Sequence, residues 1–74
     1  MDNGYKFLIE KEEMWAKMLM EVLRDNDIPC VARPIYGAGL VIRTGICERL
    51  MVYVPDECFE MARELADEIG RAHV

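Results

Sequence analysis

Three cysteines, a single histidine and a group of arginines are the residues through which this chain could do chemistry. Cys30, Cys47 and Cys58 are separated by 17 and 11 residues. That spacing matches no Cys-x-x-Cys metal or redox motif. The three read as ordinary buried or half-buried thiols, with Cys47, beside an expected loop, the most open to reaction. His73 is next to last, and a general base there would sit on a chain end of the kind that frays. The chain has no Ser and no Gln, and Thr44 is its one Thr. A Ser–His–Asp hydrolase cannot be assembled from it. No two carboxylates stand out as a general acid and a general base. The residue types therefore predict a binder rather than an enzyme, with no cofactor and no metal.

Binding chemistry has better material. Formal charge is −5, yet between positions 28 and 54 Glu48 is the sole acid, against Arg33, Arg43 and Arg49. Guanidinium groups match carboxylate and phosphate geometry. With Tyr36, Gly37 and Gly39 these arginines make the candidate set for a ligand or partner. Gly37-x-Gly39 precedes an expected strand, not a helix, so it reads as a turn rather than a phosphate cradle. The alternative for the arginines is pairing with the acidic helices or with a neighbouring subunit. The overall acidity, pI near 4.7, argues against nucleic acid, which is bound through basic residues.

These residues must be positioned by a few short elements. Tyr5 to Ile9 alternates and predicts a strand, with Tyr5, Phe7 and Ile9 on one face and Lys6 and Leu8 on the other. From Lys11 to about Asp25 the period becomes helical through Met14, Trp15, Met18, Leu19, Val22 and Leu23. Glu12 and Glu13 suit its first turn, Glu13 and Lys17 form an i,i+4 pair, and Asn26-Asp27 before Pro29 marks the stop. Ile28 to Ile35 predicts a second strand, and prolines at both its ends suit a sheet edge. Turns follow at 36–39 and 44–45, with a short strand between them at Leu40–Arg43. Glu48 to Val54 predicts a third strand. Pro55-Asp56-Glu57 opens a last helix. Its apolar stripe is Cys58, Phe59, Ala62, Leu65, Ala66 and Ile69, and Gly70 is its expected stop.

The order β-α-β-β-α with right-handed crossovers predicts an α+β two-layer ferredoxin-like sandwich, its fourth strand missing or reduced. Residues 1–74 form one such domain. Its first strand then has an open edge. The sheet face away from the helices is expected to carry Leu8, Val31, Met51 and Tyr53, mixed with Lys6 and Arg33. Size points the same way. Burial in a chain this long supplies on the order of 115 kcal/mol, against about 110 kcal/mol for ordering it. A homo-oligomer using the open edge, this face, or both is expected.

The chain also resembles a known family. The residues are Ala16-x-Met18-Leu19-x-x-x-Leu23, Asn26-x-Ile28-Pro29 and Gly37-x-Gly39. Val52-Tyr53-Val54-Pro55-Asp56-Glu57 and Glu60-x-Ala62-Arg63-Glu64-Leu65 follow. Together they are similar to small bacterial domains grouped as prokaryotic signal-transducing proteins. The resemblance covers nearly the whole chain. It implies a ferredoxin-like fold like that of the PII nitrogen-regulatory proteins, dimers or trimers, and a role in binding a partner or sensing a ligand. It implies no enzyme. The segment from about Tyr36 to Cys47 corresponds to the partner-contacting loop of PII proteins and is short. The PII lysine–glycine nucleotide motifs have no match.

The one apolar run near the start, Phe7-Leu8-Ile9, is too short for a signal peptide core or a membrane span. The chain is expected to be soluble and cytoplasmic. Its expected role is a non-enzymatic regulatory module that binds a protein partner. The alternative is a sensor holding an anionic metabolite near the arginines at a subunit interface.

Overall fold

A computed structural model of the chain describes residues 4–35 and 49–72. Strand β1 (Tyr5–Glu12) runs directly into helix α1 (Glu13–Asp25). Strands β2 (Val31–Ile35) and β3 (Arg49–Pro55) follow. A 3-10 turn, Asp56–Cys58, then leads into helix α2 (Phe59–Ala72). The strands form one sheet in the order β1-β3-β2, with β3 antiparallel to both neighbours. The β1-α1-β2 unit thus brackets the strand that comes last in sequence.

Alternation along β3 sets the layers. Leu50, Val52 and Val54 are buried, while Arg49, Met51 and Tyr53 are not. The buried set meets Ala16, Leu19 and Leu23 of α1, Ile28, and Ala62 and Ala66 of α2 in a single core. Both helices therefore cover the same face of the sheet, and the fold is α+β, a small ferredoxin-like βαββα arrangement. Small side chains at 16, 62 and 66 let the helices lie close, since α1 and α2 also touch each other. Each fully buried Leu or Val contributes about 1.5–3 kcal/mol.

Local chemistry fixes the ends. Glu13 sits at the positive end of the α1 dipole and pairs with Lys17 at 3.0 Å. At the other end the chain makes a Schellman motif. The Asp27 N–H donates to the Arg24 carbonyl and the Ile28 N–H to that of Leu23, each at 2.9 Å. Ile28 and Leu23 then both enter the core. Asn26 adds a bond from its side-chain amide to the Val22 carbonyl, 2.8 Å. Gly4, with φ at +90°, turns the chain into β1, and its carbonyl accepts the Asp56 N–H at 2.6 Å.

The expected elements hold, with shifted boundaries. β1 extends to Glu12, so α1 begins at Glu13 rather than Lys11. β2 begins at Val31 rather than Ile28, because Ile28 closes the α1 stop. Among the described strands it lies at a sheet edge, as the prolines at 29 and 34 suggest. α2 runs through Gly70 to Ala72, past the expected stop. Nothing lies within 4 Å of where a Cβ on Gly70 would be, so that glycine serves neither a turn nor a close approach. The short strand expected at Leu40–Arg43 lies outside the described residues.

The main correction concerns β1. Its pairing with β3 shifts by one residue between Phe7 and Ile9, a β-bulge at Leu8. Up to Phe7, Lys6 pairs with buried Val54. Beyond the bulge, Ile9 pairs with Val52 and Lys11 with Leu50. Leu8 and Ile9 consequently both pack on the core, and Tyr5 and Phe7 take the other face. Leu8 and Lys6 are therefore not on the helix-free face. An apolar triplet can turn two successive side chains inward only if the ladder admits an extra residue. Lys6 accommodates its helix-side position by laying its ammonium over the Phe59 ring, 4.5 Å from the centroid. Lys11 does the same over Trp15 at 5.1 Å. Each keeps its charge at the rim while its stem covers apolar surface.

Candidate functional site

The helix-free face of the sheet is the candidate site. Cross-strand partners share a face, so the register reads out its rows. Phe7, Tyr53 and Val31 lie side by side across the three strands. The next row is Glu10, Met51 and Arg33, and the one after is Glu12, Arg49 and Ile35. Tyr5 and Pro55 close the opposite end.

The face is polarised in two directions. Along the strands, the Tyr5 end is apolar and the Glu12 end charged. Across them, both acids stand on β1 and both bases on β2 and β3. Phe7 and Val31, at the two ends of their row, are each 47% exposed. Phe7 meets Tyr53 edge to face, centroids 5.9 Å apart at 72°. That geometry suits the ring quadrupoles and holds both rings in place. The Tyr53 hydroxyl lies 3.9 Å from the Met51 sulfur, a weak contact that leaves the hydroxyl available for a stronger acceptor.

Of the residues singled out from sequence, Val31, Met51, Tyr53, Arg33 and Arg49 share this face. Leu8 is under the sheet, as described above. Tyr36, Gly37, Gly39 and Arg43 lie outside the described residues, as does Cys47. Arg33 and Arg49 occupy adjacent rows on neighbouring strands. Arg49 bonds the Glu10 carboxylate at 2.8 Å, so an anion is supplied to it from within the chain. Tyr5, Phe7, Glu10, Glu12 and Ile35 are face residues that sequence reasoning missed. The clue was the unbroken Phe7-Leu8-Ile9 run, too apolar for simple alternation.

The helix side offers one cleft of about 400 Å³ among the described residues. Ala32 and Leu50 floor it, and Lys17, Met20, Glu21 and Arg24 wall it. Lys17 is already paired with Glu13, and Glu21 opposes Arg24 in sign, so the walls favour no one charge. Nearby, burial pushes the Cys30 thiol up, and the Arg24 charge offsets part of that. At neutral pH the thiol is protonated, the less nucleophilic form. No group of three or more His, Cys, Asp or Glu side chains is placed to hold a metal among the described residues. No helix among them is long and apolar enough to cross a membrane. Comparison with protein-family models, curated proteins and solved structures returns no match.

Proposed function

We propose that this chain is a non-enzymatic interaction module that docks a protein on the helix-free face of its sheet. One observation carries the reading. The Phe7–Tyr53–Val31 row is apolar, lies mid-sheet and is left half open, with charges of both signs at one end. An apolar patch with a polar margin is the anatomy of a protein interface. A regulatory or signal-transducing role is what the family resemblance adds, and it gives such a surface a use.

The test is capture from a bacterial lysate by the wild-type chain and by a Phe7→Asp/Val31→Asp double variant. Both side chains are on the surface, so the variant keeps its core. A partner retained by the wild type and lost by the variant supports the reading. Equal recovery by both chains, with the variant's melting intact, removes the face from the proposal.

A further inference from the structure

The charges on the helix-free face point to a particular occupant. Rotating a second copy by half a turn about an axis along β3, and stacking it face to face, carries β1 of one copy onto β2 of the other. Row then meets row. Phe7 covers the partner's Val31, and Tyr53, Met51 and Arg49 meet their own copies near the axis, each Arg49 charge being offset by the Glu10 of its own chain. Glu10 comes opposite the partner's Arg33, and Arg33 opposite the partner's Glu10. The acid side of each face meets the base side of its mate twice over. A half-turn about an axis across the strands does the reverse. It sets Glu10 against the partner's Phe7 and Arg33 against the partner's Val31, opposing charge to apolar surface. Two aligned sheets stacked on their inner faces are a standard solution for such surfaces, and a two-fold contact uses one patch twice.

The structure therefore assigns the face to a second copy of this chain, and we propose a face-to-face dimer held in register by reciprocal Glu10–Arg33 pairs. This rests on the docking reading above and names its partner. The face offers about eleven side chains per copy, against about 20–30 in an interface of standard size. The dimer is accordingly weak, and complementary charge decides its register more than its strength.

A charge exchange tests it on purified full-length chain, by sedimentation equilibrium from micromolar to millimolar protein. Glu10→Lys alone opposes like charges twice, and so does Arg33→Glu alone. Each is expected to weaken dimerisation at least about tenfold. An equimolar mixture of the two restores both pairs and is expected to dimerise within about threefold of wild type. Glu12→Lys, which alters net charge equally but faces the partner's Ile35, is the control and leaves dimerisation nearly unchanged. Circular dichroism melts confirm that each variant folds. A mixture no tighter than its components, or an equal loss with Glu12→Lys, overturns the register. A wild type monomeric at millimolar concentration overturns the dimer. If that occurs while Phe7→Asp/Val31→Asp still loses a lysate partner, the docking reading survives and the second copy is excluded. Rescue on mixing, with no lysate partner found, upholds the dimer as the sole use of the face.

Discussion

Asp27 is the one non-glycine residue with positive φ among those described, at 63°. It occupies the position of the Schellman motif where glycine is the usual occupant. An L-residue there is strained, though Asp tolerates the region better than most. Its carboxylate also stands at the negative end of the α1 dipole. Asp27→Gly relieves both costs, offset by the extra freedom of glycine in the unfolded chain. The expected gain is about 1 kcal/mol, read as a thermal midpoint higher by roughly 4–8 °C for a domain of this size. An unchanged or lower midpoint would show that the Asp27 side chain holds something in place. The sequence Asn26-Asp27 identified the stop itself, because both residue types favour it. Which of the two turns left-handed followed only from the hydrogen bonds. Arg49 shows a stronger limit of the same kind. It reads as a basic residue for a ligand, yet it bonds Glu10, 39 positions away in the chain. Only the β1–β3 register brings them together.

At the level of elements, periodicity made both helices and all three described strands legible, since each buries one face and must repeat accordingly. The bulge was not legible. Phe7-Leu8-Ile9 contains no polar residue to mark which side chain faces out, so alternation could be counted from either end. Nor was the strand's end. Glu10-Lys11-Glu12 alternates well enough for a strand and is acidic enough for a helix start, and pairing with Arg49–Met51 decides it. The bulge also bears on the edge of β1 that no described strand pairs. Extra residues and edge lysines blunt a strand against unwanted pairing, and here Leu8, Lys6 and Lys11 supply both devices. Deleting Leu8 would make the ladder regular without moving Phe7 or Ile9 to the wrong face. The shortened chain is expected to fold with about 1–2 kcal/mol less stability, for the half-buried leucine lost. It is also expected to present a flat edge that associates further. Light scattering should show species larger than the wild type's. A shortened chain that folds and matches the wild type in size would mean that the bulge does not guard the edge.

Across the whole molecule, charge and apolar surface are sorted by layer. The two helices carry seven of the fourteen acids, with Asp56 and Glu57 just ahead of α2, and the sheet's outer face holds apolar rows with paired signs at one end. A molecule built this way is repelled by its own kind through its helices and attracted through its sheet, which leaves the face as the place where two copies can meet. The strand order has a different consequence, for the time at which structure can appear. Among the described strands β1 and β2 are not neighbours, and each pairs with β3, the last of the three to be made. On the ribosome, no hydrogen-bonded pair among these strands can form until Pro55 has emerged, and such long-range pairing is intrinsically slow. In a chain stopped after Glu48, the β1 amides are therefore expected to exchange without protection, read by hydrogen exchange. Protected β1 amides in that fragment would contradict it. Until β3 arrives, the Phe7-Leu8-Ile9 run is a nascent strand without a mate. The lysines beside it need no mate and guard the chain during synthesis, while the irregularity at Leu8 adds its protection once β3 has paired.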